Sequence, residues 1–339
     1  MASTCRGDRV PTSIAIIGAG LAGLTLARRL APLADVTLFE KSRGLGGRLA
    51  NRRRGDYAFD HGAQYFTARS ERFKAVVAEA LAAGSVSTWP EAVPTLSRSG
   101  ECTPHPRVGE TRYVGTPGMT GLANHLAKNL DIRKETTVAA LGREDRRWRL
   151  RDADQSDLGL FDIVISTAPA PQTATLMPAA FTGHEALARA RMSGCFTLMI
   201  GLDEPPDLGF DAARLEDEIL SFIAIDSSKP GRAGKPALVV HSRNDWAEAH
   251  LETDRTQVQE QLLAALARCT GRNFRSARWI DLHRWRYAAV DQPASEPFLF
   301  DPDLGLGACG DWCIGNRVEA AFESAAALAG VVSERLADG

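Results

Sequence analysis

The chain has 339 residues, of which 44% are hydrophobic and 24% charged, a composition typical of a soluble globular protein of about two domains. A formal net charge of −2 argues against a strongly basic nucleic-acid surface. No apolar stretch approaches the ~20 residues of a membrane helix, and no apolar segment of a secretory signal precedes the first strand. We therefore expect a cytoplasmic protein that binds neither nucleic acid nor membrane.

The cysteines are mostly scattered along the chain, as is typical of reduced thiols in a cytoplasmic protein. They are Cys5, Cys102, Cys195, Cys269, Cys309 and Cys313. No cluster of His, Cys and Asp has metal-ligand spacing, so no metal is expected. The C-x3-C spacing of the last two cysteines differs from the C-x-x-C of thiol–disulfide enzymes, which leaves a flavin-linked dithiol as a weak rival idea.

The first motif is "IAIIGAGLAGLTLARRL", in which a short apolar strand is followed by G-x-G-x-x-G and a helical pattern. Gly18 permits the tight turn, Gly20 lets the backbone approach a pyrophosphate, and Gly23 lets the helix pack closely on the strand. The N-terminus of the helix, from about Leu21, offers free N–H groups to phosphates. The pattern predicts a dinucleotide-binding Rossmann-type domain.

A second strand, "DVTLFE", ends in Glu40. A carboxylate at this position accepts hydrogen bonds from the ribose hydroxyls of an adenosine and repels a 2′-phosphate, which disfavours NADP at this site. The alternative, a glycine-rich turn in an unrelated α/β fold, does not explain Glu40.

The next stretch, "KSRGLGGR", favours FAD over NAD, since an NAD domain would continue with another βα unit. Arg43 and Arg48 are candidates to contact pyrophosphate oxygens, and the alternative is a solvated basic loop. The run from Arg52 to Arg54 reads as a solvated charged face, with a minor possibility that it holds a phosphorylated substrate.

The C-terminal stretch "GDWCIGNRVEAAFESAAALAG" is expected to supply the other half of the FAD-binding site. Together with the residues just before it, this stretch predicts a short strand, then Gly310-Asp311 and a loop, and then a long helix with Val318 and Phe322 on its buried face. Asp311 is a candidate acceptor for ribityl hydroxyls. The helix N-terminus near Arg317 and Val318 would face the N1/C2 edge of the flavin, where negative charge accumulates on reduction.

The chain resembles the bacterial renalases, within the monoamine-oxidase-like FAD superfamily. The matching segments are "AIIGAGLAGL", "KSRGLGGR", "DHGAQYFTAR", "YVGTPGMTGLANHLA", "DIVISTAPAPQ", "HRWRYA" and "GDWCIGNRVEAA". The third and the last are the most specific to that family. Ala320 and Ala325 depart from the family's glycines, and we expect a small repacking of the C-terminal helix there.

The resemblance implies an oxidase of the isomeric 2- and 6-dihydro forms of NAD(P), with hydride transfer to flavin N5 and reoxidation of the flavin by O2 to give H2O2. Hydride loss from a dihydropyridine is driven by aromatisation, so the site needs shape, stacking and exclusion of water rather than a general base. Two alternatives remain, an FAD-dependent amine oxidase and a non-catalytic FAD-binding protein. The protein is expected to be a monomer or a weak homodimer.

Candidate catalytic residues are Tyr65, His241, Trp285 and Tyr287. Alternation along "HRWRYA" puts His283, Trp285 and Tyr287 on one strand face and the intervening arginines on the other. The alternative for these positions is a structural histidine and ordinary core aromatics.

The candidate cofactor-binding residues follow from the motifs and the resemblance. They are Gly18, Gly20, Leu21, Ala22, Gly23, Glu40, Lys41, Arg43, Gly46, Gly47, Arg48, Gly62, Ala63, Gln64, Tyr65, Val138, Thr167, Gly310, Asp311, Arg317 and Val318. Residues from Asp56 to Thr67 are predicted to form a strand beside the isoalloxazine, with Gly62 and Ala63 letting the backbone approach the ring.

The predicted fold class is α/β with an α+β cap. A discontinuous FAD-binding domain comprises residues 13–70, 113–171 and 298–337. The substrate domain comprises residues 71–112 and 172–297, where strand-like runs predict a mainly antiparallel sheet with helices on one side.

Overall fold

The computed structural model describes residues 11–98, 100–103 and 110–338. The helices are α1 (Leu21–Leu30), α2 (Glu71–Ala82), α3 (Gly121–Leu126), α4 (Ala170–Leu176), α5 (His184–Arg189), α6 (Asn244–His250), α7 (Arg255–Thr270), α8 (Asp311–Ile314) and α9 (Val318–Asp338). Within these ranges, no helix is long and apolar enough to cross a membrane.

The strands are numbered in chain order. They are β1 (Ser13–Ile17), β2 (Asp35–Phe39), β3 (Asn51–Arg54), β4 (Tyr57–Asp60), β5 (Val86–Thr88), β6 (Thr95–Leu96), β7 (Cys102–Thr103), β8 (Tyr113–Gly115), β9 (Asp131–Arg133), β10 (Ala140–Glu144), β11 (Arg147–Arg151), β12 (Asp157–Phe161), β13 (Ile163–Ser166), β14 (Arg191–Gly201), β15 (Ala212–Leu215), β16 (Leu220–Ile225), β17 (Ala237–Ser242), β18 (Trp279–Gln292), β19 (Leu299–Asp301) and β20 (Leu306–Ala308).

One sheet has the order β19-β20-β13-β1-β2-β9, and all its pairs are parallel except β19–β20. Both faces of its central strand are buried, as expected in a parallel sheet. Ile14 and Ile16 of β1 belong to the core that α1 and α9 cover. Ala15 and Ile17 face a second core, to which the β10–β12 meander contributes. This sheet is the predicted Rossmann-type element.

A second sheet has the order β18-β14-β17-β16-β15-β6-β7 and is antiparallel except for the β15–β6 pair. Leu198 and Val240 on one face pack against apolar residues of α6 and α7, such as Leu262. Met199 on the opposite face packs against Phe59 of β4. The predicted α/β fold, with a mainly antiparallel sheet covered by helices on one side, is confirmed.

Two local predictions are wrong. Residues from Asp56 to Thr67 do not form one strand, because β4 ends at Asp60 and the chain continues as a loop. The run "IRKETTVAAL", residues 132–141, has the pattern of a strand but is interrupted, since β9 ends before Glu135, whose φ is +54°, and β10 begins after it. The short strand expected before Gly310 is β20, and Asp311 then begins the short helix α8.

The segment 71–112, predicted to belong to the substrate domain, contributes α2 to the core shared with α1 and α9. Phe73 of α2 contacts Phe322 of α9, with 4.9 Å between ring centroids. The proposed domain boundary at residue 71 stays a prediction.

A buried ion network joins β4 to the chain that follows β16. Lys229 donates to Asp226 Oδ1 at 2.5 Å and to Asp60 Oδ2 at 3.1 Å, and all three side chains have no exposed surface. Arg232 donates to the same Asp60 oxygen and, at 2.8 Å, to the Gly115 carbonyl. Burial alone raises the pKa of Asp60, but Lys229 and Arg232 outweigh it and hold that pKa at about 2. The network therefore keeps Asp60 ionised inside the protein.

Replacing Lys229 by Met should destabilise the protein by about 3–5 kcal/mol, because buried Asp226 loses the cation it pairs with and buried Asp60 keeps only Arg232. Lys235→Met is the matched control, since Lys235 is 44% exposed and pairs with Asp203 at the surface. Its loss should change stability little, because solvent screens an exposed ion pair. Urea unfolding of both variants measures the difference, and equal effects would contradict a stabilising role for the network.

Candidate active site

The turn between β1 and α1 that contains Gly18 and Gly20, here called the glycine turn, borders an open space. Gly18 lies in a left-handed conformation with φ +105°, and a Cβ on Gly23 would collide with the Gly18 carbonyl oxygen. A Cβ on Gly20, by contrast, would meet no atom within 4 Å. The space therefore lies at the N-terminus of α1, where backbone N–H groups and the helix dipole favour a pyrophosphate.

Glu40 is held in position by the backbone around this turn. Its Oε2 accepts from the Ala19 N–H at 2.8 Å and its Oε1 from the Ser42 N–H at 2.7 Å, and the residue is 6% exposed. Each carboxylate oxygen keeps a lone pair for a ribose hydroxyl. The Gly46 N–H donates to the Ala19 carbonyl at 2.8 Å, so the arginine-rich loop folds back onto the glycine turn. These features fit the adenosine and pyrophosphate of FAD.

Arg48 and Asp311 contact each other. The guanidinium donates to the two carboxylate oxygens at 2.7 and 2.5 Å and also to the Ala288 carbonyl at 3.2 Å. This bidentate pair links the arginine loop to α8. The contacts of Arg48 with pyrophosphate and of Asp311 with ribityl hydroxyls stay predictions. The other two candidate arginines, Arg43 and Arg317, are exposed.

Other candidate cofactor residues have structural contacts of their own. Thr167 Oγ1 donates to the carbonyls of Ile17 and Gly18 at 3.0 and 2.9 Å, which supports the glycine turn. The Gly310 N–H donates to Ser324 Oγ at 3.1 Å, and Val138 is 8% exposed in the apolar core.

The remaining cofactor candidates divide by exposure. Leu21 and Ala22 are buried in the first turn of α1. Lys41 and Gly47 are exposed, and Ala63 and Val318 are partly exposed.

The methyls of Ala320 and Ala325 lie in the interior, at 2% and 0% exposure. Ala325 packs in the core that α9 shares with α1.

Five strands of the second sheet bring one row of side chains together. Residues opposite each other in neighbouring strands point to the same face. The pairings are Arg214 with Phe222, Phe222 with His241, His241 with Thr197, and Thr197 with His283. We call these five residues the cross-sheet row. It brings the predicted His241 and His283 onto one surface, two strands apart.

The loop after β4 lies on this row. The His61 carbonyl accepts from Thr197 Oγ1 at 3.0 Å and from Trp285 Nε1 at 2.8 Å. The His61 ring stacks on Trp285 with 5.2 Å between centroids, and it meets His283 edge-on at 4.9 Å. These contacts fix the position of the Trp285 ring against the loop.

Gln64 is held on both sides of its amide. Nε2 donates to the carbonyls of Asp60 at 2.5 Å and Gly62 at 3.0 Å and lies 3.4 Å from His241 Nε2. Oε1 accepts from Lys229 Nζ at 3.1 Å. The hydrogen bond from Lys229 therefore fixes the orientation of the Gln64 side-chain amide.

The backbone at Gly62 leaves no room for a side chain, a constraint that the sequence does not indicate. A Cβ there would collide with the carbonyl oxygen of Arg48, and the next N–H, of Ala63, donates to that same oxygen at 2.9 Å. The approach of this backbone to a flavin ring stays a prediction.

Arg52 is not a purely solvated charge, and that prediction is wrong. It donates to Asp281 Oδ2 at 3.1 Å and contacts His283 Nδ1 at 3.0 Å. Because a guanidinium only donates, His283 Nδ1 is the acceptor and its proton lies on Nε2. Arg53 and Arg54 are exposed, as expected.

The three imidazoles of the site are held neutral. Burial lowers the pKa of His61 to about 3, with a further contribution from His283. Burial followed by Lys229 lowers the pKa of His241 to about 4, and burial followed by Arg52 lowers that of His283 to about 4. At neutral pH these rings are therefore polar, uncharged and only weakly basic.

The rival dithiol has little chemical support. Cys309 and Cys313 are fully buried, and burial raises the pKa of the Cys313 thiol to about 12. Thiols rather than thiolates are present at neutral pH, and thiols are poor nucleophiles. In the described ranges, no group of three or more potential ligands is arranged for a metal ion.

Sequence reasoning missed His61, Thr197 and Phe222. It set Lys229 aside as a residue of a turn-like segment, whereas the structure buries it against Asp60, Asp226 and Gln64. Thr197 and His241 are polar residues within otherwise apolar buried strands, a signal that could have placed Thr197 at the site. The sequence offers no comparable signal for the contacts of Lys229 with Gln64 and Asp60, which lie 165 and 169 residues away.

The glycine turn, the oriented Glu40 and the two-sheet architecture define an FAD-dependent oxidoreductase. A family model described as flavin containing amine oxidoreductase matches residues 105–333, and a model of an NAD(P)-binding Rossmann-like domain matches residues 16–80. The chain belongs to the flavin-containing amine oxidoreductase family.

Solved structures share this fold over nearly the whole chain. A protein described as a protoporphyrinogen oxidase of Exiguobacterium sp. 255-15 matches with a TM-score of 0.76 at 15% identity, covering 96% of this chain and 99% of that one. Cyclohexylamine oxidase of Brevibacterium oxydans IH-35A matches with a TM-score of 0.74 at 12% identity, covering 96% and 99%. Wild-type putrescine oxidase bound to putrescine matches with a TM-score of 0.71 at 11% identity, covering 95% and 98%.

The glycine turn generates a paired prediction. Gly20→Ala should fold normally but bind FAD at least about tenfold more weakly, because the methyl enters the open space and blocks close approach of the pyrophosphate. Gly23→Ala should instead lose thermal stability in the apoprotein, because its methyl meets the Gly18 carbonyl. Flavin titration and thermal melts of both apoproteins separate the effects, and normal FAD affinity in Gly20→Ala would contradict this position for the cofactor.

The neutral imidazoles predict an acid dependence of stability. The unfolded chain, with histidine pKa values near 6.5, binds more protons than the folded chain as pH falls from about 6.5 to 4. Stability should therefore be complete above pH 7 and decrease toward pH 4. His61→Phe, which keeps a ring against Trp285, should reduce that slope by up to about 1.4 kcal/mol per pH unit. Urea unfolding at several pH values measures it, and an unchanged slope would show that His61 is not buried neutral.

Proposed function

We propose that this protein is a renalase-like oxidase that converts the 2- and 6-dihydro isomers of NAD(P)H into NAD(P)+. The overall reaction consumes one dihydronicotinamide, one O2 and one proton and yields NAD(P)+ and H2O2. Bound FAD supplies the hydride acceptor and the reaction with O2.

The observation that carries the proposal is the flat, neutral surface formed by the loop after β4 and the cross-sheet row. His61 and Trp285 present parallel rings, and His241 and His283 are uncharged. A dihydropyridine that loses a hydride becomes an aromatic cation and releases no proton, so weakly basic imidazoles are sufficient. The side chains orient the ring and exclude water.

Tyr65, His241, Trp285 and Tyr287 are the residues that we propose contact the substrate. Tyr65 lies beside Phe222, with 6.0 Å between ring centroids, and Phe222 lies 6.4 Å from the ring of His241. These aromatic rings continue the surface that begins at Trp285. A planar substrate can therefore stack along the uncharged part of this surface, between Trp285 and Phe222.

An amine oxidase is the second candidate, because the family and the likeness to cyclohexylamine and putrescine oxidases support it equally. The charges of the site favour the first candidate. Lys229 is occupied by Asp60 and Asp226, and imidazoles with a pKa of 3–4 accept a proton from an ammonium ion poorly. The arginines around the site would also repel a cationic amine.

The test is anaerobic mixing of the FAD-loaded protein with NAD reduced by borohydride, a mixture that contains the 2- and 6-dihydro isomers. Pure 4-dihydro NADH and a panel of primary amines, including cyclohexylamine and putrescine, serve as the comparison. We expect the visible flavin band to be lost rapidly with the mixture alone. Bleaching by amines alone would replace the proposal with an amine oxidase, and no bleaching by any of them would favour a non-catalytic flavoprotein.

A further inference from the structure

The cross-sheet row ends in a positive charge beside Tyr65. Arg214 is exposed at the β15 end of the row, and its guanidinium lies 3.4 Å from the Tyr65 hydroxyl. Arg112, just before β8, has its guanidinium carbon 5.7 Å from the centroid of the same ring. Two cations from distant parts of the chain therefore converge on one tyrosine.

These two charges differ from the arginine at the other end of the row. Arg52, beside His283, forms an ion pair with Asp281, which also pairs with Arg255. Within residues 11–98, 100–103 and 110–338, no carboxylate forms an ion pair with Arg112 or Arg214. Arg112 donates only a long hydrogen bond, of 3.4 Å, to the Glu91 carbonyl. The Tyr65 end of the row is thus the end that attracts an anion.

The spacing along the row suits a ligand with a flat ring and a remote anion. Arg214 is two strands away from His241, which corresponds to about 9–10 Å at the usual strand separation. Phe222 lies between them and presents an apolar surface. If the ring of a ligand stacks near His241 and Trp285, a chain of a few bonds would cross Phe222. The anion at the end of that chain would then lie near the two guanidinium groups.

We propose that Arg112 and Arg214 form an anion subsite that binds the diphosphate of a dinucleotide substrate, with Tyr65 between them. This inference rests on the proposed function and assigns the part of the substrate that does not react. Guanidinium groups bind phosphate oxygens through paired, charge-assisted hydrogen bonds, and a diphosphate offers enough oxygens for both arginines. The subsite would select dinucleotides over free nicotinamide ribosides.

Arg112→Gln, Arg214→Gln and the double variant test the subsite in the FAD-loaded protein. Arg146→Gln is the control, because it removes the same charge from an exposed turn between β10 and β11. Each single variant should lower kcat/KM for the dihydro dinucleotide about tenfold or more. The dihydronicotinamide riboside, which has no phosphate, should react at unchanged kcat/KM in all four proteins.

A binding measurement makes the test independent of turnover. Titration calorimetry with ADP-ribose, which carries the diphosphate but no nicotinamide, should show affinity in the wild type, at least tenfold loss in each single variant, and no loss in Arg146→Gln. If ADP-ribose binding depends on both arginines while no dihydronicotinamide is oxidised, the subsite stands and the proposed function fails. If dinucleotide oxidation is rapid but unaffected by either variant, or if riboside and dinucleotide lose activity equally, the subsite is overturned.

Discussion

The candidate site depends on how the chain from Asp60 to Tyr65 is held between the two sheets. At one end, the Asp60 carboxylate is fixed by Lys229 and Arg232 in a network without solvent. In the middle, the His61 carbonyl accepts two side-chain hydrogen bonds from the second sheet, from Thr197 and Trp285. Since residues 61–65 belong to no strand, these contacts replace the ladder hydrogen bonds that would otherwise position them.

This arrangement separates charge from the proposed reacting surface. The cations of the network are paired inside the protein. The imidazoles nearby stay unprotonated because burial opposes their charging, with a further contribution from Lys229 at His241 and from Arg52 at His283. A substrate ring stacked on Trp285 would meet polar but uncharged neighbours. The positive charge that develops on the nicotinamide would thus be tolerated without a dedicated base, while the unpaired arginines near Tyr65 face the opposite end of a long substrate.

Local motifs predicted the cofactor domain better than the substrate site. Each glycine of the first turn has a geometric requirement readable from spacing, and Glu40 follows the next strand directly. Alternation correctly grouped His283 with Trp285 on one strand face. The site itself is assembled by pairings across more than a hundred residues, such as Thr197 with His61 and Arg48 with Asp311. Such pairings depend on strand register and sheet order, which a single sequence with no alignment does not specify.

The central claim, hydride transfer without a general base, is tested most directly by isotope effects on anaerobic flavin bleaching. A 2- or 6-dihydro isomer deuterated at the carbon that loses hydride should react severalfold more slowly, and transfer of the protein to D2O should leave the rate nearly unchanged. The rate should also show no inflection near pH 6.5, because the site histidines titrate at 3–4. A large solvent isotope effect, or an inflection near pH 6.5, would show that a protonatable group acts in the rate-limiting step and would contradict the account.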